Sequence, residues 1–97
     1  MSIMHNPPHP GEFIFETYIE PLGISLREAA SKLAVSPSTF TRLIKGENDI
    51  SPIMAIKLSK ALGRTAKSWM HMQTNYDLWK AKDKANLDKV SVIYEHD

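Results

Sequence analysis

The sequence predicts an all-α fold, five helices packed around one core and followed by a short extended tail. Three observations predict it. Cap residues that open a helical pattern recur at Ser25, Ser36-Pro37, Ser51-Pro52 and Thr65, and each is a helix start signal. Apolar residues in the segments between them recur at three- and four-residue spacing, the period of a helix with one buried face. Gly23, Gly46 and Gly63 stand where three of those patterns stop, the place where a left-handed cap is needed. The 97 residues suffice for one compact domain and not two.

Taken in order, "NPPHPGEF" predicts an irregular N-terminal arm over residues 1–9, with Pro10 in the first helical turn and His9 beside it. Glu12 in that turn complements the helix dipole. Phe13, Ile14, Tyr18 and Ile19 share a face, and Pro21 with Gly23 is expected to end the helix. "SLRE" at 25–28 fits a capping box, Ser25 accepting from residue 28 and Glu28 reaching back. A short second helix turns Leu26, Ala29, Ala30 and Leu33 inward, and its small residues admit a close neighbour. After "AV", Ser36 and Pro37 open a third helix that Gly46 ends. A fourth runs from Pro52 to Gly63 with Ile53, Met54, Ile56, Leu58 and Leu62. The fifth, from about Ala66 to Lys82, carries Trp69, Met70, Met72, Tyr76, Leu78 and Trp79. "VSVIY" at 90–94 alternates as a short strand would.

The second and third helices, joined by so tight a turn, describe a helix-turn-helix. Phe40, Leu43 and Ile44 anchor the third helix from behind, which leaves a polar face free to enter a major groove, where base edges differ. On that face stand Ser38, Thr39, Thr41 and Arg42. Arg42 suits a bidentate contact to guanine, and a threonine methyl suits thymine. Ser36 and the helix N-terminus suit a phosphate oxygen. Lys45, Asn48, Lys32 and Arg27 would serve further phosphates. A plainly capped, solvated helix would use the same residues, so the order of cap, tight turn and second cap carries the reading.

Net charge is +1 and argues neither for nor against a polyanion. Its distribution says more: residues 1–24 sum to −3, residues 25–67 to +5 and residues 68–97 to −1, a basic middle between acidic ends. Absence of cysteine excludes disulfides and thiolate metal sites. His5, His9, His71 and His96 lack ligand spacing, so neither a metal nor another cofactor is expected. Glu12, Glu16 and Glu20 lie along one helix without a nucleophile or His in catalytic order, so no enzymatic activity is expected. That acidic row could instead face a basic partner. "MSIMHNPPHP" is unlike a signal peptide and no apolar run has membrane length, so a soluble cytoplasmic protein is expected. Trp69 is assigned to the core. Trp79, Tyr76 and Tyr94 are assigned to a dimer contact, since aromatics are enriched at interface centres.

"AASKLAVSPSTFTRLIKGENDISPIMAIKLSKALG" resembles the Xre/phage-repressor helix-turn-helix family, with its lambda-repressor-like domain. More narrowly, "HPGE" at 9–12, "GENDISPIMAIKLSKALG" at 46–63 and "W…NYDLWKAK" at 69–82 resemble the HigA-type antitoxins, also called virulence-associated protein I. The resemblance spans residues 7–82. It implies a helix-turn-helix DNA-binding domain over 10–82; the tail over 83–97, with its own apolar residues, is expected to be available for a dimer contact. It also implies a homodimeric antitoxin that neutralises a HigB-type mRNA endonuclease and represses its own operon at palindromic operator DNA. The family pattern puts Ser36 on phosphate, Pro37, Ser38, Thr39 and Arg42 near bases, and Lys45 at the helix end. Two positions depart from it: Ala34 replaces a turn glycine, and Leu26 replaces a phosphate-gripping glutamine. Two other readings stay open, a repressor without a toxin and a protein-interaction module that ignores DNA. A neighbouring gene for a small basic protein separates the first from the antitoxin, and Arg42→Ala separates the second.

Overall fold

A computed structural model describes residues 6–95; the rest of the expected arm and His5 and His96 lie outside the described residues. Five helical rods are present among the described residues. The first, α1, runs as α-helix over Pro10–Ile14, as a π turn over Phe15–Ile19 and as α-helix again over Glu20–Leu22. Then come α2 (Leu26–Lys32), α3 (Pro37–Ile44), α4 (Pro52–Leu62) and α5 (Ala66–Ala81).

Local chemistry sets the starts. The His9 imidazole accepts the Gly11 amide through Nδ1 at 2.9 Å, and Ser25, Ser36, Ser51 and Thr65 each accept the amide three residues on. Only the Ser25 half of the expected capping box forms among the described residues. Glu28 is exposed, so its carboxylate stays in solvent.

Pro21 does not end α1. The π turn closes with the Glu20 amide on the Phe15 carbonyl, five residues back. Its wider loop spares the ladder that the proline ring would interrupt. The same turn brings Ile14 and Ile19, five apart, into one core; in an unbroken α-helix they would diverge by ~140°. Gly23 makes the stop, its amide reaching Ile19 O at 3.0 Å.

The core joins Ile14 and Ile19 to Ala29, Ala30, Leu33, Phe40, Leu43, Ile50, Met54, Ala55, Leu58 and Trp69. α2 packs on α3, α4 on α5, and α1 bridges α3 and α5. Residues 82–95 are irregular and exposed. The strand expected at 90–94 is not formed, because alternation makes a strand only where a second one supplies the ladder.

The helix-turn-helix turn is the strained point. Ala34 sits at φ +58°, with Val35 N–H on Ala30 O at 3.0 Å, a Schellman closure that glycine usually makes. Lys57 Nζ donates to Ala34 O at 3.0 Å. Ala34→Gly is expected to stabilise the chain by about 1 kcal/mol, because the left-handed penalty of a Cβ exceeds glycine's extra chain entropy. That is a rise in melting temperature of about 4–8 °C, read by circular dichroism. An unchanged or lower midpoint contradicts it.

Candidate nucleic-acid interface

α3 is held from behind and free in front. Phe40 and Leu43 are buried and Ile44 half-buried, while Pro37, Ser38, Arg42 and Lys45 are exposed. Ser38, Arg42 and Lys45, spaced four and three apart, form a stripe along one side. Thr39 and Thr41 are half-buried beside it, as is Asn48 in the following loop.

At the N-terminus, Ser36 Oγ accepts Thr39 N–H at 3.2 Å and donates to Thr39 Oγ1 at 2.8 Å. Ser38 Oγ lies 3.4 Å from Ser36 Oγ. Thr39 Oγ1 accepts in its bond from Ser36, which leaves its own proton available to a ligand. Pro37 has no amide and Ser36 occupies that of Thr39, so Ser38 N–H is the free amide in the first turn. The helix N-terminus expected to suit a phosphate oxygen thus offers that one amide.

The far end is closed by a Schellman motif, with Gly46 N–H on Leu43 O at 3.0 Å and Glu47 N–H on Arg42 O at 2.8 Å. Gly46 adopts φ +80°, which glycine alone takes without penalty. Among the described residues no Lys or Arg nitrogen lies within 4 Å of a carboxylate; the one contact of that kind is His9 Nε2 to Asp49, at 3.7 Å. Arg42 and Lys45 therefore keep their charge for a ligand. Arg27 is exposed on α2. Lys32 stands elsewhere, at the mouth of an apolar groove between α1, α2 and α4.

Three residues outside α3 brace it, and the helical pattern of the sequence gives none of them a part in this interface. Gly11 lets the first turn of α1 touch the α3 backbone: a Cβ there would fall 1.8 Å from Leu43 O. The His9 ring packs against Gly46, 3.6 Å from where a Cβ would stand, and meets the Tyr76 ring edge-on at 4.9 Å. Gln73, 3% exposed, accepts Ile50 N–H at 2.8 Å and donates to Asp49 at 3.1 Å and Asp77 at 2.9 Å. It pins the loop after α3 to α5. "HPGE" at 9–12, which holds His9 and Gly11, is the part of this brace that shows in the sequence.

Tyr76 and Trp79 are half-buried on α5, their rings 6.1 Å apart, and line a shallow hollow with His9 and Glu12, while Tyr94 is exposed in the tail. Glu12, Glu16 and Glu20 are all exposed along α1. No group of three or more His, Cys, Asp or Glu among the described residues could hold a metal ion. No described helix is long and apolar enough to cross a membrane.

A family model described as helix-turn-helix matches residues 16–69. Virulence-associated protein I of Dichelobacter nodosus is 38% identical over 81 residues, covering 82% of this chain and 75% of that protein. Antitoxin HigA-1 of Vibrio cholerae is 35% identical over 78 residues, covering 80% and 73%. Among solved structures, the Pseudomonas aeruginosa antitoxin HigA with the higBA promoter superposes with TM-score 0.81 at 28% identity, covering 92% of this chain and 100% of that one.

Proposed function

Because the chain belongs to the HigA-type antitoxins of the Xre-like helix-turn-helix family, we propose that it binds its own operator as a homodimer, represses its operon and neutralises a HigB-type mRNA endonuclease. The observation that carries the DNA half is the exposed stripe of Ser38, Arg42 and Lys45 on a helix whose reverse is locked by Phe40 and Leu43. A helix so mounted enters a major groove, and α3 is then the recognition helix.

In this reading Arg42 takes guanine O6 and N7 with its planar fork. Thr39, Thr41 and Pro37 lie beside it near base edges. Ser38 N–H takes a phosphate beside the Ser36 cap, whose own proton is held by Thr39, while Lys45, Asn48 and Arg27 take others. Two copies related by a two-fold axis place their recognition helices about 34–36 Å apart, one turn of a palindromic operator. Tyr76 and Trp79 on α5, with Tyr94 in the tail, supply the dimer contact.

Arg42→Ala tests it. Affinity for the chain's own upstream DNA is expected to fall about 5- to 150-fold, one lost bidentate contact, with the melting temperature unchanged. Lys45→Ala should instead reduce the slope of log affinity against log salt by about 1. Undiminished binding by Arg42→Ala, read by mobility shift, would take Arg42 out of the interface, and a parent chain that fails to shift its upstream DNA would leave a role that ignores DNA. For the toxin half, co-expression with a neighbouring basic nuclease is expected to relieve growth arrest. Failure there, with operator binding intact, leaves a repressor without a toxin.

A further inference from the structure

An apolar groove of about 660 Å³ opens between the C-terminal end of α1, the rear of α2 and the second half of α4. Ile19, Leu22, Leu33, Phe40 and Leu62 give it greasy walls, and none of the residues lining it is acidic. Lys32, Lys57 and Lys60 stand around it. Lys57 is occupied by the Ala34 carbonyl, whereas Lys32 and Lys60 are exposed. Leu22, at one edge, is 65% exposed. A surface of this kind, apolar and rimmed by one sign of charge, marks an interaction site.

The same chain carries the complementary segment. Val90, Val92, Ile93 and Tyr94 are all exposed, Ile93 at 102% and Tyr94 at 82%. Glu95 follows them, and the sequence continues to Asp97. Four large apolar groups within five residues and an adjoining acid match greasy walls with free lysines. The described chain is 51 Å long against 22 Å in the other two directions, so these groups are carried well away from the core.

We propose that this groove receives the apolar, acidic tail of a second copy of the chain, residues 90–95, with Val92, Ile93 and Tyr94 against the walls and Glu95 toward Lys32 and Lys60. The proposal rests on the homodimer given above, and chain direction favours the second copy over the chain's own tail. α5 begins just beyond Leu62 and its 16 residues carry the chain ~24 Å onward before the tail starts. The chain's own tail would have to double back along that whole length. If two copies of α5 pair antiparallel across Tyr76 and Trp79, each tail instead runs past its partner's Thr65, beside the groove. The two contacts then form one continuous interface.

The absence of cysteine makes the test direct. Leu22→Cys and Ile93→Cys are made in separate full-length chains, mixed in equal amounts, oxidised mildly and run on a non-reducing gel. A mixed disulfide dimer formed only when both variants are present is the expected result. Ile93→Cys joining only to itself would mean that tails pair with each other, and it overturns the proposal. So does a doubly substituted chain that closes as a monomer at dilutions where the mixture gives no dimer, and so does the lack of any cross-link. By sedimentation, Lys60→Glu and Glu95→Lys are each expected to weaken the dimer several-fold and together to restore it, and two silent single variants count against the docking. Operator binding is read separately. A chain that shifts its operator without this cross-link overturns the docking and leaves the DNA reading intact, while cross-linking without a shift does the reverse.

Discussion

Gly11→Ala is expected to lower stability by about 3 kcal/mol, the upper part of the range for overpacking, and to weaken operator binding beyond what the unfolded fraction explains. The added methyl would fall 1.8 Å from Leu43 O and 2.7 Å from Leu43 C. These are backbone atoms of the last turn of α3 and cannot rotate aside as a side chain can. Either α1 lifts off, taking Ile14 out of the core, or α3 is pushed outward with Arg42 and Lys45 on it. The first response costs stability and the second moves the groove-reading stripe. Thermal melting is expected to show a midpoint about 12–24 °C lower. A mobility shift below that midpoint checks the affinity. If the variant melts beside the parent and binds operator equally well, α1 does not brace the recognition helix.

What could be read from the chain beforehand was whatever local chemistry decides. Ser36-Pro37 and Ser51-Pro52 cap their helices because a hydroxyl two or three residues from an open amide needs no distant partner. Phe40, Leu43 and Ile44 declare the reverse of α3 by their spacing alone. What escaped depends on groups far along the chain. Gly11 matters through a carbonyl thirty-two residues on. Gln73 resembles any solvated helix residue until the loop presents Ile50 N–H and Asp49 to it. The π turn hides because Phe13, Ile14, Tyr18 and Ile19 read as one face of a regular helix although Ile14 and Ile19 stand five apart, and only the core and Pro21 together make the wider turn worth its poorer bonds. The tail misled for the opposite reason. Its alternation is a local property, but a strand is not.

Trp69→Ala separates stability from recognition. The indole is fully buried and donates from Nε1 to Gly63 O at 3.0 Å. Phe13 and Tyr18 stand 6.2 Å from it, and the Arg64 guanidinium lies 5.7 Å above the ring. It thus ties α1, the α4–α5 connection and α5 together at one point. Its removal leaves a cavity that three elements cannot all collapse into, and a cost of about 3–5 kcal/mol follows. For a domain of this size that is a large share of the total. Trp69→Phe, which keeps most of the ring but loses the hydrogen bond, is expected to cost only about 1–2 kcal/mol. Denaturant melts rank the pair. Trp69 touches no residue of the exposed stripe, so the fraction that stays folded in the cold should bind operator with the parent's affinity, unlike Gly11→Ala. An alanine variant within about 1 kcal/mol of the parent would show that the ring is not the joint. One that folds yet loses operator binding would show that α5 steers α3 more directly than the contacts of Gln73 and His9 account for.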